Sequence, residues 1–433
     1  LIFQDRRRNG QLDLEAVEMA LRSALHQAGA AALSKLLRCD PPAAEQRGRA
    51  CPCGQTAHYR ELRSRHILTV LGEVKIDRPY FLCAGCGKGQ FPFDVELDVE
   101  DKELSPGVRR MLALVGAEAS FGHGRQQMEL LAGLEVTAKA VERTAESIGE
   151  DLVRRECVQV ERAAQLHLPV VIGPPIPVLY MELDGTGIPV VKKETVGRIG
   201  KVAGQPAHTR EAKLGCVFTQ SGWDEEGYPI RDPDSTSYVG AVETADQFGK
   251  RIYLEAWNRG WARAATKVVI GDGAEWIWND ADIYLPGAIQ IVDLYHAREH
   301  LWDLARHFHP YDKAGQQSWM NIYKPKLDGG EIEELVRLLR AIKPATPELA
   351  EGIRTETGYF ERNSNRMRYP LFRAQHLFVG SGVIEAGCKT VIGQRLKQSG
   401  MFWTIRGANA IIALRCCHLN GNFESYWENR RAA

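Results

Sequence analysis

The sequence predicts an α/β protein with a β-β-β-α-β-α-β-α unit at its centre. Three observations predict it. Between Val178 and Phe308, apolar runs of strand length alternate with helical periods. Two of those runs end in Asp-Gly, at Asp184 and Asp272. Ahead of them, two close cysteine pairs bracket a short stretch that alternates like a β unit. At 433 residues, 44% of them hydrophobic, the chain can bury ample core and is too long for one ordinary domain.

The elements divide the chain at 1–45, 46–98, 99–167, 168–309, 310–375 and 376–433. The first segment is helical. Leu14, Val17, Leu21 and Leu25 recur at helical spacing, and Pro41 and Pro42 stop the pattern. The chain begins at Leu1 without Met, so its natural N-terminus is expected to lie upstream.

The second segment is the cysteine-bracketed unit. His66–Leu71 alternates weakly, Gly72 turns the chain, and strands follow at Glu73–Asp77 and Tyr80–Leu82. Cys51 and Cys53 stand before it, Cys83 and Cys86 after it. Paired close cysteines in a large intracellular chain read as a metal site more than as disulfides. Four thiolates from two turns would make a structural Zn²⁺ site of the zinc-ribbon kind, supplying folding energy to a unit with little core. The first pair is C-x-C, one residue short of C-x-x-C, so Cys39 and His58 stand as alternative ligands. Cysteines 157, 216, 388, 416 and 417 read as small packed hydrophobes.

In the third segment the helical period returns at Val108, Met111, Leu112 and Val115. Two helices, about Gly124–Leu131 and Ala138–Val153, flank a turn with Gly133 and a Thr137 N-cap, the order of a helix-turn-helix. Lys139 and Arg143 would lie one turn apart on the second helix, a spacing that suits contact with a DNA groove or phosphates. Many helix pairs share this pattern.

Four prolines between Leu168 and Val178 make an extended linker. The core follows, with strands at Val178–Asp184, Lys213–Thr219 and Ser237–Val242 and a helix at Ala245–Trp257. A strand at Lys267–Gly271, a short helix after Gly273, a strand at Ala288–Val292 and a helix at Tyr295–Phe308 complete it. This is the element order of a ribonuclease H-like core. Pro310 to about Leu371 reads as a helical insertion with an apolar stripe of Ile332, Leu335, Val336, Leu338 and Leu339. The last segment opens a helix at Ser-Gly-Val-Ile-Glu, with Ser381 as N-cap, Glu385 near the first turn and Lys389 one turn later.

In that strand order the first and fourth strands are parallel neighbours. Asp184 and Asp272, at their carboxyl ends, would share a crevice. Two close carboxylates repel, and a hard cation held by oxygen ligands, Mg²⁺ or Mn²⁺, resolves the repulsion. Glu385 completes the set, with Glu299 and Asp303 as alternative third acids. A pair of such ions suits in-line phosphodiester transfer. Taken singly, Asp before Gly is often a turn residue, and Glu at a helix start complements the helix dipole.

The chain resembles the DDE transposases of bacterial insertion sequences, specifically the ISKra-type family related to Mutator-like enzymes. The resemblance is carried by Met-Glu-Leu-Asp-Gly-Thr-Gly (181–187), Val-Ile-Gly-Asp-Gly-Ala-Glu-Trp-Ile (269–277), Asp-Leu-Tyr-His-Ala-Arg-Glu-His-Leu (293–301) and Gly-Ser-Gly-Val-Ile-Glu-Ala-Gly-Cys-Lys (380–389). Arg-Leu-Lys-Gln-Ser-Gly-Met-Phe-Trp (395–403) and the run 406–415 add to it. It implies that Asp184, Asp272 and Glu385 are the catalytic triad. It implies that His296, in Asp293-x-x-His296, lies near the active crevice and contacts the scissile phosphate or leaving group; a capping or core histidine is the alternative. It implies double-stranded DNA as partner, both terminal inverted repeats and target, and a homodimer or higher assembly on it. Lys389, Arg395, Lys397, Trp403 and Arg406 are expected DNA contacts, with a buried Trp anchoring the last helices as the alternative for Trp403. Arg60, Arg63 and Arg65 beside the cysteine unit would help to hold DNA ends.

The chain carries 55 Lys+Arg against 55 Asp+Glu, yet from Glu361 to Ala433 there are eleven basic and four acidic residues, a local +7. That asymmetry suits nucleic acid and also a solvated basic tail. No apolar run approaches ~18 residues and no signal pattern opens the chain, so a soluble cytoplasmic, nucleoid-associated bacterial protein without membrane contact is expected. Two other functions fit: a catalytically silent DNA-binding regulator derived from a transposase, and a ribonuclease H-like nuclease that does not join ends.

Overall fold

The computed structural model describes residues 7–8, 11–200 and 206–430. The start of the expected N-terminal helical segment, 1–6 with 9–10, lies outside the described residues. The chain divides into two compact units, Leu1–Glu146 and Ser147–Ala433.

In the first unit, helix α1 spans Leu14–Leu36, and Asp13 caps it by accepting from the Ala16 amide at 3.2 Å. Strands β1 (Gly48–Ala50), β2 (Thr56–Thr69), β3 (Gly72–Cys83) and β4 (Gly89–Gln90) form an antiparallel meander in chain order. The pieces expected at 73–77 and 80–82 are one strand. Pro79 continues the ladder opposite Leu62, and Gly72, at φ +106°, makes the tight turn. Ile67, Val74, Ile76 and Val99 form a core that Ala30, Leu33 and Leu37 cover.

Helices α2 (Pro106–Glu118) and α3 (Phe121–Gln127) follow, and α3 runs into a π-helical turn at Met128–Ala132. Gly133, left-handed at φ +67°, ends that turn. Thr137 then caps α4 (Ala138–Ala164), its hydroxyl accepting from the Ala140 amide at 3.0 Å. Val108, Leu112, Met128, Leu134 and Val141 pack these helices together. Helix α4 runs eleven residues beyond the expected end at Val153, into the second unit.

The second unit holds a five-stranded sheet of β5 (Ile176–Pro189), β6 (Thr209–Gln220), β7 (Ser237–Ala241), β8 (Ala264–Gly271) and β9 (Ile289–Val292). Its spatial order is β7-β6-β5-β8-β9. The first three strands pair antiparallel, and β8 runs parallel to both β5 and β9. Helices α5 (Ala245–Asn258), α6 (Glu275–Tyr284) and α7 (Leu294–Phe308) follow β7, β8 and β9. Thr244 and Gln247 close a capping box at the start of α5.

Helices α8 (Lys313–Asp328), α9 (Ile332–Ala341), α10 (Pro347–Arg362) and α11 (Tyr369–Ala374) make up the helical block. Ile332, Leu335, Val336 and Leu339 are buried in it, with Leu338 at its edge. Helix α12 (Gly382–Gly387) packs on β5 and β6 and continues as a π-helical stretch, Cys388–Gly393. Helix α13 (Ile405–Leu419) packs on β7, and the Asn409 side chain receives the Val242 amide at 2.7 Å.

Candidate active and metal-binding sites

Asp184 lies on β5 and Asp272 directly follows β8. The strands are parallel neighbours, and the pairing of Ile270 with Glu182, carried on two residues, sets Asp272 beside Asp184 at the carboxyl end of β8. Neighbouring strands lie ~4.8 Å apart. The Asp184 carboxyl accepts from the Gly185 amide at 2.7 Å and from the Cys388 thiol at 3.2 Å. Burial raises its pKa and the Asp272 charge adds to the rise, while the Cys388 thiol, the Gly185 amide and His296 oppose it. The Asp272 and His296 charges both act on Asp184.

Asp272 turns back on its own chain, its carboxyl accepting from the Ala274 amide at 2.9 Å. Its backbone carbonyl accepts from the Tyr359 hydroxyl at 2.9 Å, so the helical block supports the loop that carries this acid. Gly273 makes the bend at φ +100°, where an added Cβ would stand 2.5 Å from the Tyr359 ring.

Glu385 is half-buried on α12. Ser381 occupies the N-cap position, but its side chain makes no capping bond, a correction to the expected cap. The helix start is held from the strand instead. Glu182, fully buried on β5, accepts the Ile384 amide at 2.8 Å. Burial, with the nearby Asp293 and Glu385 charges, drives the Glu182 pKa up to about 8 against the pull of the Ile384 amide. One turn beyond Glu385, Cys388 reaches Asp184, so α12 is tied to β5 at both ends. Sequence reasoning missed Glu182 because it hides in an apolar run. The available signal was its period-2 relation to Asp184, which puts both on one face of the strand.

Asp293 is fully buried at the start of α7. Its Oδ1 accepts the Tyr295 amide at 2.6 Å and the His296 amide at 2.8 Å, and its Oδ2 accepts the Ser381 amide. The Leu294 amide also donates to the Val379 carbonyl at 2.9 Å. The Asp-x-x-His stretch therefore fastens the chain just ahead of α12. His296 Nδ1 lies 3.2 Å from Glu299, an exposed residue on its own helix. Asp303 is exposed and paired with Arg306.

Of the expected DNA contacts, Lys397 is exposed and donates to the hydroxyl of Thr186, two residues beyond Asp184. Lys389 is exposed. Arg406 is exposed and paired with Glu150. In the first unit, Lys139 and Arg143 are exposed near the start of α4, with Lys139 2.8 Å from Glu142. Two expectations are corrected by burial. Trp403 is 4% exposed and donates from Nε1 to the Leu396 carbonyl at 3.0 Å, and Arg395, 0% exposed, lies over its ring at 5.0 Å. Both are packing residues and present no DNA-facing surface. Arg65 is likewise engaged, with Asp94 at 2.8 Å and the Lys102 carbonyl at 2.7 Å. Arg63 pairs with Glu61 at 2.7 Å and lies over Tyr80. Arg60 is exposed.

The cysteine unit closes on itself. Cys51, Cys53, Cys83 and Cys86 have sulfur atoms all within 4.8 Å of one another, with Cys51–Cys86 and Cys53–Cys83 each at 3.6 Å. Thiolates set tetrahedrally at ~2.3 Å from an ion stand roughly 3.8 Å apart, so this cluster can hold a metal ion. Two similar turns build it. Gly54, at φ +85°, donates to the Cys51 carbonyl at 2.9 Å, and Gly87, at φ +69°, to the Cys83 carbonyl at 2.9 Å. The Cys86 amide, helped by that of Gly85, pulls the Cys83 thiol down to about 7. The Gln55 amide pulls Cys53 down too, but neighbouring thiols outweigh it and push Cys53 up to about 12. The C-x-C spacing brings both its sulfurs into the cluster without Cys39 or His58.

Among the described residues this is the one group of three or more such side chains whose ligand atoms lie within 4.8 Å of one another. The three acids form a more open arrangement, with one oxygen of Asp184 held by the Cys388 thiol. Of the remaining cysteines, 216, 416 and 417 pack in the interior as expected, whereas Cys157 is exposed and Cys388 faces Asp184. No helix among the described residues is long and apolar enough to cross a membrane.

No curated protein matches the sequence. A protein-family comparison matches residues 7–431, almost the entire chain, and by that match the chain belongs to an uncharacterised protein family, UPF0236.

Proposed function

We propose that the protein is a DNA transposase of the DDE type, built on a ribonuclease H-like core, that cuts at insertion-sequence ends and joins the 3′-hydroxyl to target DNA. One observation carries this reading. Asp184 and Asp272 are carried on two neighbouring parallel strands, and Glu385 rides on a helix bonded to the Asp184 strand. The strand order, with the parallel pair at its centre, supports the ribonuclease H-like assignment.

Asp184, Asp272 and Glu385 would hold Mg²⁺ or Mn²⁺. The fit rests on donor chemistry, since all three are hard oxygen ligands. It rests too on the parallel register of the two strands that carry Asp184 and Asp272, because a cation relieves the repulsion of neighbouring carboxylates. Bound there, such ions activate an attacking hydroxyl and stabilise the leaving oxygen of a phosphodiester. His296 would contact the scissile phosphate or leaving group, as the resemblance implies; its amide is held by Asp293 at 2.8 Å at the start of α7. Lys389, Lys397 and Arg406 in this unit, and Lys139 and Arg143 in the other, would take DNA phosphates. Zn²⁺ is the proposed occupant of the four-cysteine cluster, as a structural ion in a zinc-ribbon-like unit. Holding two transposon ends together calls for at least two copies of the chain.

A strand-transfer assay on pre-cut ends tests the reading. Mg²⁺-dependent joining is expected from the wild type and none from Asp184→Ala, Asp272→Ala or Glu385→Ala, with end binding kept in all three. The open spacing of the acids favours one second reading, a DNA-binding regulator without catalysis. In the same assay that protein would bind ends and join none.

A further inference from the structure

Asp293 ties the start of α7 to the segment ahead of Glu385, through the Ser381 amide. Further along the same helix, His300 meets the helical block. His300 Nδ1 lies 2.6 Å from Glu356 Oε2. Its ring stacks on Tyr359, with centroids 3.7 Å apart and planes 23° from parallel. Glu356 and Tyr359 are three residues apart on α10, so carboxylate and ring are neighbours on that helix. The imidazole meets one at its edge and the other at its face. Tyr359 in turn donates to the Asp272 carbonyl, and its ring stands against Gly273. Glu356, His300 and Tyr359 thus form a chain of contacts that ends on the Asp272 backbone.

We infer that His300 is a positioning residue for Asp272, acting through Tyr359. The bond to Glu356 fixes the turn of the imidazole about its Cβ–Cγ bond and keeps its face on the Tyr359 ring. The stacked ring then holds the hydroxyl at the Asp272 carbonyl. The His296–Glu299 contact has no such hold. It joins two residues of one helix at 3.2 Å, and the Glu299 side chain is 68% exposed. The His300–Glu356 contact joins two elements, and the Glu356 side chain is 16% exposed. One helix therefore braces two acids, Glu385 from Asp293 and Asp272 from His300. This rests on the reading of Asp184, Asp272 and Glu385 as a metal site, where supporting contacts set ligand geometry and affinity.

Mn²⁺ binding to the whole chain, read from the electron paramagnetic resonance of the free ion, tests this without DNA. Asp184→Ala identifies the binding that belongs to the acids. His300→Ala and Glu356→Ala are each expected to weaken that binding roughly fivefold, the effect of losing one hydrogen bond. Glu356→Gln, whose amide still bonds Nδ1, is expected to keep wild-type affinity. In a Tyr359→Phe background, where the hydroxyl is already gone, His300→Ala is expected to cost no further affinity. A merely structural His300 would lower the melting temperature in both backgrounds and leave Mn²⁺ affinity alone. The inference is overturned by wild-type Mn²⁺ affinity in His300→Ala, or by a loss of the same size in the Tyr359→Phe background. If His300→Ala fails to fold, Glu356→Ala decides by the same measurements. The expected losses support the inference whether or not the wild type joins DNA ends, so a failure of strand transfer is told apart from a failure of His300. Mn²⁺ binding that Asp184→Ala leaves unchanged overturns the metal site and this inference with it.

Discussion

The Ile384 amide donates to Glu182 Oε2 at 2.8 Å, so a carboxyl in the centre of the sheet fixes the first turn of the helix that carries Glu385. A carboxyl there is costly. Glu182 is fully buried, and its second oxygen, Oε1, has no hydrogen-bond partner. It persists because it is protonated at neutral pH, its pKa being pushed up to about 8.

That raised pKa makes a pH prediction. In the unfolded chain Glu182 ionises near its ordinary value, while the folded chain keeps the proton until about pH 8. The folded state is therefore favoured most below the unfolded pKa. The advantage is lost between roughly pH 4.5 and pH 8, by a few kcal/mol in all. Glu182→Gln keeps an acceptor for the Ile384 amide and removes the ionisation. Its melting temperature is expected to rise above that of the wild type at pH 8–9 and to match it near pH 5. Parallel melting curves across that range would sink the assignment.

Asp293 divides its two oxygens between two tasks, Oδ1 for the α7 amides and Oδ2 for the Ser381 amide. Asp293→Asn can keep the first and must lose the second, because its NH₂ would face the Ser381 N–H. We expect a moderate loss of stability, on the order of 1–3 kcal/mol, from the amide left unpaired. A larger loss of strand transfer is expected, since the segment leading to Glu385 is released. Asp293→Ala should also fray the start of α7 and cost more. If Asp293→Asn melts earlier yet joins DNA at the wild-type rate, the link from Asp293 to Glu385 carries no function.

The four-cysteine cluster predicts one tightly held metal per chain. Metal binding to thiols releases protons, so affinity is expected to fall as pH drops. Chelation should lower the melting temperature and free thiols to react. Cys53→Ser and Cys83→Ser should each do the same, as both sulfurs lie inside the cluster. Elemental analysis of purified protein gives the count. Full metal content in Cys53→Ser would remove Cys53 from the ligand set and return Cys39 or His58 to consideration.

What could be read from the sequence was what local chemistry encodes. Asp184 and Asp272 each close an apolar run with Asp-Gly, and the cysteine pairs announce themselves by spacing. Glu182 could not be recognised, because its purpose depends on an amide 202 residues away. Trp403 and Arg395 misled for the same reason. In a basic tail they look like DNA-facing groups, and only the pairing of the chain around Trp403 with Pro189 and Val191 buries them. The helical insertion was visible from its stripe. Its support of Asp272 through Tyr359 was not, since that contact spans 87 residues.

Gly273 and Tyr359 form the last testable contact. A Cβ at position 273 would meet the ring at 2.5 Å, and the backbone stands at φ +100°. Gly273→Ala therefore carries two separate costs. The backbone contributes roughly 1–3 kcal/mol wherever the ring is, and displacement of the ring adds to it. Tyr359→Phe loses only the bond to the Asp272 carbonyl, about 1 kcal/mol. The two costs separate in a double-mutant cycle. In a Tyr359→Ala background, Gly273→Ala should cost only its backbone part, so the double variant should be less destabilised than the sum of the two single ones. Equal costs in both backgrounds would mean that the ring does not press on the Asp272 loop. In that case the insertion would hold its place beside the acids without shaping them.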